Sequence, residues 1–191
     1  AAEPGDAELQ KLLDKDPGRY AREPQITFSQ LYFGADSPAA RAAYGAAAQA
    51  LHLYPDPKGV ALREAIARKH GLDPARIVLG AGSDEIFSLI CQAYLSPGDT
   101  MVQPHYAFAA WAIAAKAAGA VVISAPERNY HADVDALLAC VDASTRVLFI
   151  ANPANPTGTV IPFEDIKRLH AGLPENVLLV LDAAYAEFAE G

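Results

Sequence analysis

The sequence predicts an α/β fold, a three-layer α/β/α sandwich built on a mainly parallel sheet and preceded by an N-terminal arm. Three observations predict it. Strand and helix patterns alternate from Arg76 onward, as a sheet with helical crossovers requires. Val147–Ala151 and Val177–Leu181 are short aliphatic runs without in-out alternation, which suits strands covered on both faces. Between them lie a proline-rich loop and a helical pattern, Phe163–Leu173, completing a βαβ crossover.

The elements follow in chain order. Residues 1–25 form a polar arm, with helical potential at Ala7–Leu13 stopped by Asp16-Pro17-Gly18. Ile26–Phe33 is β-branched and aromatic and reads as extended. Ser37 and Pro38 open an alanine-rich helix from Ala39 to about Leu51, Ser as the cap and Pro in the first turn. Two prolines around Asp56, with Gly59 after them, make a rigid exposed turn. A helix over Val60–His70 ends at Gly71, and a short strand is expected at Arg76–Leu79. Glycines 80 and 82 then turn the chain tightly into a helix with an apolar stripe of Ile86, Leu89, Ile90 and Ala93, capped by Ser83 and Asp84. After the Pro97-Gly98-Asp99 turn come a strand at Met101-Val102, a helix at Ala107–Ala118 ended by Gly119, a strand at Val121–Ser124, and a helix at Asp133–Val141 capped from His131–Asp133. We expect residues 1–50 to be an arm and the start of a small domain, and 51–191 part of a large domain. A chain that opens on Ala-Ala and stops at Glu190-Gly191, just after a strand and its polar loop, reads as a piece of a longer one.

Composition narrows the function. The 191 residues carry a net charge of −8 and no basic run, which argues against a nucleic-acid partner. No apolar stretch approaches the roughly 20 residues of a membrane span, and no signal-peptide core is visible, so the cytoplasm is the expected location. Cys91 and Cys140 lie far apart in helical patterns and read as buried small hydrophobes. His52, His70, His105, His131 and His170 are scattered without metal-ligand spacing. No serine-hydrolase elbow is present.

The polar residues cluster at strand ends. In open α/β sheets, ligands bind beyond the carboxyl ends of the strands. Gly80-Ala81-Gly82-Ser83-Asp84 joins a strand to a helix, an arrangement whose free N–H groups attract anions. Glu85 stands where a dinucleotide fingerprint needs a third glycine; an ordinary strand–helix turn has the same pattern. Tyr106 follows Pro104-His105 and can stack on a flat ligand or pack as a partly buried aromatic. Asn152-Pro153-Ala154-Asn155-Pro156-Thr157-Gly158 restricts both asparagines through the following prolines, although turns favour such residues in any case. Asp182 ends an aliphatic run, where a carboxylate is costly unless paired. A cationic ring nitrogen, a helix cap or a structural ion pair each meets that need. Tyr54, in the exposed turn, reads as a surface anchor or interface residue.

Taken together, AGSDE, PHYAF, NPANPTG and DAAY, in this order and at these intervals, resemble the fold-type I aminotransferases that use pyridoxal phosphate. YPDPKG, LREAIA and GAGSDEIF are most similar to the histidinol-phosphate aminotransferase branch, and the resemblance covers about residues 50–188. It implies the large, cofactor-binding domain of that fold, incomplete here. It implies that Gly82, Ser83 and Asp84 hold the cofactor phosphate, that Tyr106 stacks on the pyridine ring, and that Asn155 and Tyr185 bond the ring's 3-oxygen. Asp182 would pair with the ring nitrogen. Tyr54 would reach the cofactor of the neighbouring subunit, making a homodimer. The substrates implied are an amino acid, such as histidinol phosphate or an aromatic amino acid, and a 2-oxo acid.

Three stretches depart from the branch pattern. Leu31–Asp36 replaces an Asn-Glu-Asn-Pro-like segment, Asp182-Ala183-Ala184-Tyr185 replaces Asp-Glu-Ala-Tyr, and His105 stands for Thr or Ser. Lys11, Lys15, Lys58, Lys69, Lys116 and Lys167 are the lysines present. None matches the family's Schiff-base lysine, which lies beyond the Asp-x-Ala-Tyr segment, so no catalytic lysine is assigned and the 191 residues alone are expected to be inactive. Two other readings stay open. One is a decarboxylase or lyase of a phosphorylated amino acid on the same cofactor; the other is a non-catalytic phosphate-binding α/β module.

Overall fold

The computed structural model describes Gln25–Phe28, residues 45, 46, 48, 49, 53 and 54, and residues 56–189. Five parallel strands form the main sheet in the order β1-β7-β6-β2-β3: β1 Gln25–Phe28, β2 Thr100–Pro104, β3 Val121–Ala125, β6 Thr145–Ala151 and β7 Leu178–Asp182. A two-residue hairpin, β4 Glu127–Arg128 and β5 His131–Ala132, stands beside it. The helices are α1 Val60–His70, α2 Ser83–Tyr94, α3 Ala109–Ala117, α4 Val134–Ala139 and α5 Phe163–Gly172.

The aliphatic strands do what their pattern predicts. On β6, Val147, Phe149 and Ala151 face one core with Ile86, Phe87, Ile90 and Cys91 of α2 and Trp111 of α3. Leu148 and Ile150 face the other with Leu137 of α4 and Ile166 and Leu169 of α5. Alternate residues thus enter opposite cores, because successive side chains of a strand point to opposite faces. This is the expected three-layer sandwich. Trp111 stacks on Phe149 at 5.2 Å and meets Phe87 edge-on at 5.9 Å, an aromatic knot under α2 and α3.

Several expected boundaries move. Arg76–Leu79 is not a strand: Asp73 accepts the Ala75 N–H and winds Pro74–Arg76 into a 3-10 turn, and Val78 after it is exposed. Helix α2 is not capped by Ser83 or Asp84. Gly82 is its N-cap, at φ 82°, and no side chain caps it. A β-carbon at Gly80 would stand 2.7 Å from Ile86 Cδ1, so a larger residue there would have to push the end of the Ile86 side chain aside. Helix α3 starts two residues late, after Phe108. Helix α4 is shorter than expected, with Asp133 accepting from the Asp135 and Ala136 N–H groups. Gly71 ends α1 at φ 67° as predicted. Cys91 is buried, which pushes its thiol up to about 11, whereas Cys140 is only half-buried. Of the alanine-rich helix, residues 45, 46 and 48 are helical. The expected arm helix, the Ser37-Pro38 start and Leu31–Asp36 lie outside the described residues.

The strand order positions the site. From β2 the chain goes outward to β3, then returns to β6 on the other side of β2. Strand order therefore reverses between β2 and β6, and a crevice opens at their carboxyl ends. The segments leaving those ends carry His105 and Tyr106 after β2, and Asn152–Asn155 after β6.

Candidate active site at the switch point

Asp182 is the last residue of β7 and only 7 % exposed. It accepts the Ala184 N–H at 3.1 Å, and no lysine or arginine among the described residues pairs with it. Burial raises its pKa; the Ala184 bond opposes that, and the charge of Asp84 raises it further. The N-terminus of α2, which carries Asp84, therefore acts on the carboxyl end of β7. Two acids share this edge without a cation among the described residues, so the site favours a cationic group beside Asp182.

Helix α2 presents its first N–H groups without a side-chain cap. Ala81 N–H is taken by the Glu85 carboxylate, which leaves the turn at Gly82, Ser83 and Asp84 as the open part. Uncapped N–H groups and the helix dipole together favour an anion there.

The two asparagines of the proline-rich loop separate. Asn152 is fully engaged: its Nδ2 donates to the Ile161 carbonyl and its Oδ1 accepts the Ile161 N–H, both at 2.9 Å. Its N–H continues the β6–β7 ladder by donating to the Asp182 carbonyl at 2.9 Å. Asn155 lines the hollow bordered by Pro104, Tyr106, Trp111 and Glu127, and its amide has no protein partner among the described residues. Both Asn-Pro bonds are cis. Thr157 and Thr159 pair at 2.8 Å, and Thr159 Oγ1 donates to the Tyr130 carbonyl at 2.9 Å.

Tyr106 is 45 % exposed, with one side of its ring near Tyr130 at 5.3 Å and His105 edge-on at 4.7 Å. Its N–H donates to Glu127 Oε1 at 3.2 Å. Tyr185 is 45 % exposed, beside Phe188 at 6.3 Å. Tyr54 stands apart: it is fully exposed, at 101 %, with no support from the described chain.

The fold thus gathers Tyr106 and Asn155 about one hollow, and couples Asp84 to Asp182, with Tyr185 three residues beyond. Tyr54 is not brought to them within one chain. Sequence reading missed Glu127 and Tyr130. They reach Tyr106 through a tight turn in which Asn129 and Tyr130 both have positive φ, 53° and 64°. Two-residue hairpins need that geometry but favour Asn-Gly; a tyrosine at the second place carries no turn signal. Among the described residues no cluster of His, Cys, Asp and Glu could hold a metal ion.

Comparison with known proteins agrees with this fold. The family model for aminotransferase class I and II matches residues 29–191. The chain is 53 % identical over 154 residues to histidinol-phosphate aminotransferase of Rhodospirillum rubrum, covering 81 % of this chain and 42 % of that protein. It is 53 % identical over 152 residues to histidinol-phosphate aminotransferase 1 of Caulobacter vibrioides, covering 80 % and 42 %. The crystal structure of histidinol-phosphate aminotransferase from Sinorhizobium meliloti in complex with pyridoxal-5'-phosphate superposes with a TM-score of 0.78 at 27 % identity, covering 100 % of this chain and 50 % of that one. The chain spans less than half the length of these two curated relatives. With the family model matching most of its residues and the site at the switch point of a parallel sheet, the chain belongs to the aminotransferase class I and II family.

Proposed function

We propose that this chain is the cofactor-gripping part of a pyridoxal-phosphate aminotransferase, most similar in chemistry to histidinol-phosphate aminotransferase. The whole protein moves an amino group between an amino acid, histidinol phosphate or an aromatic amino acid, and a 2-oxo acid. One observation carries the reading: Asp182 is a buried carboxylate with no cation beside it among the described residues, and a second acid, Asp84, raises its pKa further. A protonated pyridine nitrogen answers both.

The other residues fit the same group. The uncapped start of α2 at Gly82, Ser83 and Asp84 suits a phosphate. The amide of Asn155, unpartnered among the described residues, and the phenol of Tyr185 suit a ring oxygen, and the half-exposed ring of Tyr106 suits stacking. When bound, the cofactor supplies an electron sink for a negative charge developing at the substrate carbon. Asp182 keeps the ring nitrogen protonated, Asn155 and Tyr185 hold the ring oxygen, and Tyr106 limits the ring's tilt and keeps water from one face. The Schiff-base lysine belongs to a part of the family's length that this chain does not match. Residues 51–191 then form part of the large domain, and residues 1–50 the arm and the start of the small one. Tyr54, fully exposed, reaches a second subunit's cofactor phosphate in a homodimer. The cytoplasm suits such an enzyme; among the described residues no helix is long and apolar enough to cross a membrane.

The test uses the full-length protein. Incubation with pyridoxal phosphate gives a visible imine absorption that borohydride traps on one lysine. Histidinol phosphate and a 2-oxo acid then exchange an amino group. Carbon dioxide release from an amino acid without 2-oxo acid dependence makes it a decarboxylase instead. Absence of any chromophore makes the fold a binding module and overturns the proposal.

A further inference from the structure

The β4–β5 hairpin has no role in the site described so far, yet both its ends touch Tyr106. Glu127, at its foot, accepts the Tyr106 N–H at 3.2 Å. Tyr130, at its tip, lies 5.3 Å from the Tyr106 ring, and its own carbonyl is tied to Thr159 of the loop that carries Asn155.

Glu127 is unusual as a surface acid. It pairs with no cation among the described residues, whereas its neighbour Arg128 turns to Asp133 at 3.1 Å. Its second oxygen, Oε2, is buried and has no hydrogen-bond partner among the described residues, and the same holds for Nε1 of Trp111. Both residues line one small cavity of ≈ 10 Å³, about the least room that a single water occupies, about 10–15 Å³. A carboxylate drawn out of solvent loses hydration. What it gains is a charge-assisted bond to one backbone N–H, and that N–H belongs to the residue whose ring faces the cofactor.

We infer that Glu127 is a positioning residue for Tyr106: it clamps the Tyr106 backbone while Tyr130 supports the ring, so that the ring meets the cofactor at a set angle. This rests on the reading of Tyr106 as the stacking residue.

The experiment measures affinity of the cofactor-free, full-length protein for pyridoxal phosphate by equilibrium titration, with the near-ultraviolet circular dichroism of the tyrosines as a second readout. Glu127→Ala weakens binding about tenfold, the worth of one such hydrogen bond, and alters the tyrosine signal before any cofactor is added. Glu127→Gln keeps an acceptor and stays within about threefold of wild type. In a Tyr106→Ala background, Glu127→Ala costs less than about twofold, because coupled residues are not additive. If Glu127→Ala does not fold, Glu127→Asp, one methylene too short for the bond, carries the same comparison. Equal losses with and without the Tyr106 ring, or failure of Glu127→Asp and Glu127→Gln alike to fold, make Glu127 merely structural and overturn the inference. Unchanged affinity in Tyr106→Ala alone overturns the stacking reading itself.

Discussion

Asp182 links the chemistry of the site to the stability of the fold. Its pKa is raised in the folded chain, above an unfolded value of about 3.9. Such a group favours folding below its unfolded pKa, and that contribution is lost as pH rises through the folded value. At neutral pH, therefore, the ionised carboxylate opposes folding of the cofactor-free protein. Asp182→Asn should raise its resistance to urea at pH 7, with the gain vanishing toward pH 4; a denaturation series across that range reads it. The same substitution should lower turnover of the full-length holoenzyme by at least about a hundredfold, since removing one partner of a buried pair costs about 3–5 kcal/mol. Turnover within tenfold of wild type would remove Asp182 from the ring nitrogen. That a carboxylate at the end of Val177–Leu181 needed a partner was legible in the sequence. That a second acid deepens the need was not, because Asp84 is nearly a hundred positions away and only the packed fold brings it near.

At the scale of an element, the proline-rich loop divides its labour. Asn152 binds both backbone groups of Ile161 and so fixes the loop against the start of α5. Asn155 contributes nothing comparable to the fold. Asn152→Ala should destabilise the protein by about 1–3 kcal/mol, the cost of leaving half-buried backbone groups unpaired, seen as a lower urea midpoint. Asn155→Ala should leave stability within about 0.5 kcal/mol and weaken cofactor binding. The reverse ranking would exchange their roles. In sequence the two are indistinguishable, each an asparagine before proline. The ladder position of Asn152, one residue past β6 with its N–H on the Asp182 carbonyl, makes the difference. The expected strand at Arg76–Leu79 failed for a related reason. Its β-branched pattern met a local competitor in Asp73, whose carboxylate captured the Ala75 N–H.

For the whole molecule, the open question is how many chains make one site. Tyr54 is fully exposed, as a residue destined for a neighbour would be. Mixing full-length Tyr54→Ala with Asp182→Asn chains under conditions of subunit exchange should restore about a quarter of wild-type activity. Half of the dimers are hybrids, and each hybrid regains one of two sites. No recovery would place Tyr54 outside the neighbouring site. The 191 residues by themselves should show no transamination in an assay cleared of host enzymes, since none of their six lysines matches the family's position; measurable turnover would overturn that assignment.

The sequence by itself determined the alternation of strands and helices, the burial of β6 and β7 on both faces, and the edge at which polar residues gather. Those follow from local periodicity and from where an aliphatic run stops. Only the tertiary structure decided that strand order reverses between β2 and β6, that Asn152 rather than Asn155 spends its amide on Ile161, and that the Glu127–Tyr130 turn leans on Tyr106. Each depends on contacts between residues far apart along the chain or on a backbone angle no residue type announces, and such information exists only once the layers have packed.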